Sequence, residues 1–359
     1  MRHGVIVIGC GAMARVHCHA LMTMPQVKLI SAVDVQLDRA KEFQRQFGFE
    51  RAGADYKGEL ERKDADIILV ATHWAMRHQI ISDCFHAGKH VLAEKPLSVY
   101  AREVEDLIRL ANRKKLKLRV GMVERFRAMF LTITDLLNKA TIGKPQVYNF
   151  IHHQRPTPSA MEAGWEYFKK LLHGGVTPNL DCGIHKCDLV RMFSHSDAAS
   201  VMSWGRKLEP DSPSCNFTHS VFTMRDGTIF TLEDCFSGCV EPFVGMWIIG
   251  DKGRMQFEYA GHHARPTPGS EEDCIRIWHR TPPRTETLHI SATMKAVRPQ
   301  METFIQEIEQ DKDLNWHYDN VSKATEMVAA TVLSEHRHAA VNFPLTSSDW
   351  QAIENLIKQ

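Results

Sequence analysis

The chain has no Cys-x-x-Cys pair, no surplus of either charge, and no apolar run near the roughly 20 residues that cross a bilayer. Each lack excludes something. Lysine plus arginine number 44 against 43 aspartate plus glutamate, so no overall field recruits nucleic acid or an anionic membrane. Nine scattered cysteines, an odd number, favour reduced thiols over a disulfide framework. Met1-Arg2-His3-Gly4 leads straight into a strand, so we expect no signal peptide and a cytoplasmic location. Internal repeats and low-complexity segments are also missing. With 359 residues, against roughly 100–200 for an ordinary domain, two domains are expected.

What is present begins with Val5-Ile6-Val7-Ile8, a β-branched run typical of a strand buried on both faces of a parallel sheet. It enters Gly9-Cys10-Gly11-Ala12-Met13-Ala14, which fits G-x-G-x-x-A, and then a helix-forming segment. Gly9 permits the tight turn, Gly11 lets the backbone approach a pyrophosphate, and Ala14 allows close helix–strand packing. The amides of Ala12 and Met13 at the helix start suit the phosphates. Lys28 to Val33 reads as a second strand, ended by Asp34, 20 residues beyond Ala14. A carboxylate there meets the ribose hydroxyls of adenosine and repels a 2′-phosphate, and no arginine follows it directly. The expected cofactor is therefore NAD rather than NADP. The competing reading of Asp34 is a helix N-cap.

Strand and helix signals then alternate. Asp66 to Ala71 is a buried strand ending at Thr72-His73-Trp74, and Lys89 to Glu94 is another, ending at Lys95-Pro96. With a short strand approached by Gly48-Phe49-Glu50, Leu116 to Gly121 completes a sixth. This rhythm implies right-handed crossovers in a doubly wound sheet, with ligands at the carboxyl ends of the strands. Gly9, Asp34, Thr72, Glu94 and Lys95 all fall at such ends.

Together, Gly9-x-Gly11-x-x-Ala14, Asp34, Ala71-Thr72, His78, Ala87 to Val91 and Glu94-Lys95-Pro96 resemble the glucose–fructose oxidoreductase / inositol dehydrogenase (Gfo/Idh/MocA) family. The resemblance implies a cofactor site of Gly9, Gly11, Ala12, Met13, Asp34, Thr72, His73, His78, Glu94 and Lys95. One departure stands out: the family's usual Thr-Pro after the third long strand is Thr72-His73 here.

Beyond about residue 124 the pattern changes, so we expect a Rossmann domain over 1–124 and an α+β domain over 125–359. Strand signals include Pro145 to His153, a hairpin turning at Asp226-Gly227, and a second hairpin from Trp247 to Phe257. Pro299 to Gln310 and Asn320 to Ala340 have helical periodicity. The resemblance implies a large, open-faced, mainly antiparallel sheet used partly for contacts in a homo-oligomer, a dimer or tetramer.

Within this half, Asp181 stands at an apparent N-cap and His185 one turn later on the same helix face. A carboxylate beside an imidazole is the pair that proton removal from an alcohol requires. After Gly174-Gly175 the stretch resembles the family's G-G-x-x-x-x-D-x-G-x-H-x-x-D signature. The resemblance therefore implies Lys95, Asp181 and His185 as the catalytic set. Arg125, Gln154, Arg155, Trp165 and Asn179 are further candidates for sugar contacts, through hydrogen bonds or stacking. Of His152 and His153, which alternate along a strand, at most one faces a pocket. Zinc held by Asp181, Cys182, His185 and Cys187 is a rival reading, but the spacing matches no structural zinc pattern, so no metal is expected.

The implied activity is oxidation of a secondary hydroxyl of a sugar, glycoside or cyclitol to the ketone, with hydride passing to NAD. Two alternatives are an NAD-dependent glycosidase working by transient oxidation and elimination, and a non-catalytic sensor of NAD or sugar.

Overall fold

The computed structural model describes residues 2–154, 177–210, 212–258, 272–291 and 296–358. Arg155, Trp165, Gly174, Gly175 and residues 259–271 lie outside the described residues.

The chain forms two compact units, residues 1–126 with 295–322, and 127–294 with 323–359. The first holds a six-stranded parallel sheet. Its strands are β1 (His3–Ile8), β2 (Val27–Val33), β3 (Arg51–Gly53), β4 (Ile67–Val70), β5 (His90–Ala93) and β6 (Leu118–Val120), in the order β3-β2-β1-β4-β5-β6. Chain order reverses between β1 and β4, which makes a switch point with a crevice beyond the strand ends. Every residue of β1 and β4 is buried, as continuous β-branched runs require of strands covered on both faces.

The helices between these strands are α1 (Ala12–Leu21), α2 (Leu37–Phe47), α3 (Tyr56–Leu60), α4 (Trp74–His86) and α5 (Ala101–Lys114). In α1 the buried residues are Ala14, His17, Cys18 and Leu21, one helix face that carries a histidine. The α2 helix begins at Leu37, directly after its N-cap Gln36.

Residues 295–322, read from the sequence as part of the second half, pack with the first unit. The physical reason is burial. Met301, Phe304 and Ile305 of the helix Val297–Glu309 join the core of Val5, Val7, Phe43, Phe47 and Leu92. Polar side chains of the same segment cover the outer edge of β6. Leu118 N–H donates to the Tyr318 hydroxyl at 3.2 Å, Val120 N–H to His317 Nε2 at 3.0 Å, and Gln300 Nε2 to the Val120 carbonyl at 3.2 Å. An edge strand that would otherwise offer free backbone groups is thereby closed. Burial, then Arg119 and Arg125, holds the His317 imidazole well below its ordinary pKa, consistent with a neutral ring accepting from Val120.

The second unit is a nine-stranded mixed sheet. Its strands are β7 (Pro145–Gln154), β8 (Ala198–Arg206), β9 (Phe217–Met224), β10 (Ile229–Phe236), β11 (Phe243–Gly250), β12 (Gly253–Glu258), β13 (Glu272–Arg280), β14 (Pro283–Ser291) and β15 (Val341–Asn342). The order is β14-β13-β12-β11-β7-β10-β9-β8-β15, with β7 and β10 parallel and the remaining neighbours antiparallel. Both hairpins read from the sequence are present, and Gly227 takes φ +87° in the first.

Alternation decides the faces. Tyr148, Phe150, His152 and Gln154 of β7 are buried, as are Phe222, Phe230, Leu232, Met246 and Ile248. Helix residues close this face: Phe130 meets Phe257 edge-on, and Tyr148 stacks with Phe193. A fully buried phenylalanine contributes about 1.5–3 kcal/mol. On the opposite face Trp204, Ile229, Phe243 and Ile249 are exposed.

Candidate functional site

In the first unit, five strand ends are stitched into one edge by four backbone hydrogen bonds. Gly9 N–H donates to the Val33 carbonyl (2.8 Å), Ala71 to Ile8 (2.8 Å), Glu94 to Val70 (2.9 Å) and Gly121 to Ala93 (2.7 Å). The predicted residues Gly9, Asp34, Thr72, Glu94 and Lys95 therefore stand side by side along the carboxyl ends of the sheet.

Gly9 has φ +92°, and a Cβ there would come within 2.8 Å of the Ala71 carbonyl oxygen, so both backbone and packing demand glycine. Gly11 is different: a Cβ would meet nothing within 4 Å. Its lack of a side chain answers to no neighbour among the described residues and suits close approach by a ligand. It N-caps α1 with no side-chain hydrogen bond and with no acid in the first turn, so the positive end of the helix dipole is not offset there by a carboxylate of the helix. Asp34 Oδ2 accepts from Cys10 N–H and Oδ1 from Gln36 N–H, each at 2.9 Å. The residue at the α2 N-cap is Gln36, so the capping alternative for Asp34 does not describe it. At the end of β4, Thr72 Oγ1 and Trp74 Nε1 are buried with no hydrogen-bond partner. These features fit a dinucleotide: amides for its phosphates, a carboxylate for its ribose, and unsatisfied polar atoms at the nicotinamide end.

His73 N-caps α4, its Nδ1 accepting from Ala75 N–H at 3.4 Å. Burial, then Arg77, holds this imidazole below its ordinary pKa. Trp74 packs beside it and edge-on to Tyr100. His78 is half-buried on the same helix.

Glu94 and Lys95 are held by residues that the sequence reading did not single out. Glu94 Oε1 lies 2.7 Å from His17 Nε2, both side chains buried, and Glu94 Oε2 accepts from Lys95 N–H at 3.2 Å. Burial alone would raise the Glu94 carboxyl. The His17 hydrogen bond and the charges of His17, Arg77 and Lys95 outweigh it and hold the group down at about 2. Arg77 donates to the Thr72 carbonyl from Nε (2.9 Å) and Nη2 (2.6 Å), and from Nη1 to the carbonyls of Glu94 (2.6 Å) and Pro96. A polar residue stands within the apolar stripe of each helix, His17 in α1 and Arg77 in α4.

Arg125 is buried, its guanidinium 4.6 Å over the Trp316 ring and 3.0 Å from His317 Nδ1. These contacts are to the chain itself.

In the second unit, Asp181 is not an N-cap. Helical winding starts at Pro178 and runs through a wide π turn, Asn179–Gly183, before α6 (Ile184–Ser194). The reason lies in the sheet beneath. A Cβ on Gly183 would stand 3.0 Å from Asp234 Oδ2 and from Leu232 Cδ2, so the turn presses directly against β10. Asn179 pins it by donating to Ser220 Oγ (2.9 Å) and accepting from Thr218 Oγ1 (2.8 Å). Such turns recur at functional sites. Asp181 is half-buried and His185 buried, the two separated by the junction of the π turn with the α-helix.

Beside them lies a buried ionic cluster. Lys186 Nζ is 3.0 Å from His152 Nδ1, 3.7 Å from Asp234 Oδ1 and 3.2 Å from the Cys182 carbonyl, while His152 Nδ1 is 3.0 Å from Asp234 Oδ1. Thus His152 faces inward; His153 pairs with Glu233 at 2.7 Å on the other face. Gln154 is buried on the His152 side. Among the described residues, no group of three or more His, Cys, Asp or Glu is arranged to hold a metal ion. Among them too, no helix is long and apolar enough to cross a membrane.

Comparison with known proteins places this geometry. Residues 3–122 match the oxidoreductase family with NAD-binding Rossmann fold, and residues 130–256 match the GFO/IDH/MocA C-terminal domain. Myo-inositol 2-dehydrogenase of Thermotoga maritima is 29% identical over 208 residues, 58% of this chain and 59% of that protein. The match therefore spans less than two thirds of that relative's length. A scyllo-inositol dehydrogenase from Lactobacillus casei, solved with NAD(H) and scyllo-inositol, shares the fold at TM-score 0.78 and 16% identity, covering 95% of this chain and 99% of that one. A 3-ketoreductase from Actinomadura kijaniata, solved with TDP-benzene and NADP, does so at TM-score 0.80 and 21% identity, covering 93% and 98%. The glycosidase and sensor alternatives find no support in these comparisons. With both domain models matched in order along most of its length, the chain belongs to the GFO/IDH/MocA family of NAD(P)-binding oxidoreductases.

Proposed function

We propose that the protein is an NAD-dependent dehydrogenase that oxidises a secondary hydroxyl of a ring polyol, a sugar, glycoside or cyclitol, to the ketone. The observation that carries this reading is the alignment of Gly9, Asp34, Thr72 and Lys95 along one sheet edge, beside the uncapped start of α1. Gly9, Gly11 and the amides of Ala12 and Met13 hold the pyrophosphate, and Asp34 holds the adenosine ribose. Thr72, His73, His78, Glu94 and Lys95 shape the nicotinamide end. The carboxylate of Asp34, with exposed Val35 following it, favours NAD over its 2′-phosphorylated form.

The bound nicotinamide supplies the hydride acceptor. His185 takes the hydroxyl proton, and Asp181 orients its ring and stabilises the imidazolium. Lys95 hydrogen-bonds the oxygen as negative charge develops there, where a preorganised cation is worth most. Gln154, Trp165 and Arg125 are proposed as substrate contacts. The names of the T. maritima and L. casei relatives support a cyclitol as the first substrate to try. The exposed Trp204, Ile229, Phe243 and Ile249 support assembly of a dimer or tetramer through that sheet face. None of the nine cysteines, all among the described residues, is in a disulfide, which supports a reducing compartment such as the cytoplasm. Lys95→Ala tests the assignment: turnover should vanish while NAD affinity stays within about threefold, as loss of a transition-state contact requires. A fully active variant sinks it.

A further inference from the structure

We propose that Arg77 is the positioning residue for Lys95, clamping the backbone on both sides of it; this rests on the reading of Lys95 as catalytic. In α4 the buried residues are Arg77, Ile80, Ile81, Cys84 and Phe85, the i, i+3, i+4, i+7, i+8 stripe that faces the sheet. Packing alone would be served at the head of that stripe by leucine or methionine. A buried guanidinium there costs several kcal/mol unless its donors are matched. They are matched by backbone: the carbonyls of Glu94 and Pro96, which flank Lys95, and the Thr72 carbonyl at the end of the neighbouring strand. A planar fork can hold three carbonyls at fixed mutual angles, whereas an ammonium is a point charge.

A second anchor completes the arrangement. The Lys95 N–H is held by Glu94 Oε2, and the other oxygen of that carboxylate is fixed by His17 of α1, the helix that opens at the glycine turn. Lys95 is thus tied through its own N–H and through the carbonyls before and after it. From Val91 to Val99 it is the single residue that is not buried. The chain has fixed this backbone and kept the one side chain partly exposed, which is what placing an amine against a reacting group demands. A misplacement of about 1 Å costs on the order of 100-fold in rate.

The experiment is a double-mutant cycle with Arg77→Lys and Lys95→Ala, using NAD with myo-inositol and its C2-deuterated form, supported by acylation of Lys95 with an N-hydroxysuccinimide acetate and mass spectrometry. Arg77→Lys should lower kcat about 30- to 100-fold and raise the deuterium isotope effect, with NAD affinity within about threefold. In the Lys95→Ala background it should add less than about threefold. Equal losses in both backgrounds, or wild-type kcat in Arg77→Lys, overturn the proposal. Full activity of Lys95→Ala overturns instead the reading beneath it. If myo-inositol is not turned over or Lys95→Ala falls below detection, acylation decides. The Lys95 rate should change at least about fivefold in Arg77→Lys with NAD bound, while Lys28, Lys57 and Lys63 keep theirs; an unchanged rate overturns the proposal. Should Arg77→Lys fail to fold, Arg77→Gln, which keeps a planar donor, is read the same way.

Discussion

Glu94 Oε1 and His17 Nε2 are 2.7 Å apart, and neither side chain is open to solvent. The bond joins the helix after the glycine turn to the strand end that carries Lys95, so one ion pair holds the cofactor side and the proposed catalytic side of the sheet edge together. Glu94→Gln breaks the pair and leaves His17 buried without its carboxylate. Loss of about 3 kcal/mol is expected at pH 7 from urea unfolding. The pH dependence follows from the depressed carboxyl, held at about 2 against an ordinary 4.5. Its contribution is present above the ordinary value and lost as pH falls through about 2, so the gap between wild type and variant should close only in strong acid. Equal stability at pH 7 would show that the pair is not a structural tie.

The role proposed for Asp34 is the choice between NAD and NADP. Wild type should bind NAD at least about tenfold more tightly than NADP by fluorescence titration, and Asp34→Ser should narrow that ratio chiefly by improving NADP. Tighter NADP binding by the wild type would reverse the assignment.

The cluster of Lys186, His152 and Asp234 is buried charge in the interior of the second unit. Removing Lys186 alone, as Lys186→Met, should cost about 3–5 kcal/mol, because Asp234 loses a neighbouring cation. Combining it with Asp234→Asn should cost less than the single change. Additive losses in guanidinium denaturation would mean that the two do not act as a pair.

Glu335 accepts one hydrogen bond, from Ser203 Oγ at 3.0 Å, and burial pushes its carboxyl up to about 7. Folding therefore favours its neutral form. The contribution is complete below the ordinary 4.5 and is lost as pH rises through about 7. In Glu335→Gln the fall of Tm between about pH 5 and about pH 7.5 should be shallower than in wild type; parallel curves would contradict the assignment.

How much of this was legible depends on how far apart in the chain the causes lie. The strand–glycine–helix run around Gly9, the carboxylate at Asp34 and the Asp226-Gly227 hairpin are local patterns, and each stands where the sequence puts it. Arg77 and His17 did not announce themselves, because a lone polar residue in an apolar stripe shows its purpose only when its distant partners, Glu94 and Pro96, are in place. The capping role of Asp181 was misread because contact with Asp234, far along the chain, widens the turn and moves the helix start. Residues 295–322 follow the second half in sequence and pack with the first unit because Phe304 and Ile305 are buried against β1 and α2, a long-range hydrophobic choice that no local signal encodes.

The most direct measurement is absorbance at the NADH band when purified protein, NAD and single ring polyols are mixed: myo-inositol, scyllo-inositol, free hexoses and alkyl glycosides, with wild type and Lys95→Ala side by side. The account predicts NADH and ketone in equal amounts from at least one polyol with wild type, and none with a variant that still binds NAD. Release of an aglycone without net NADH, or equal turnover by Lys95→Ala, would contradict it.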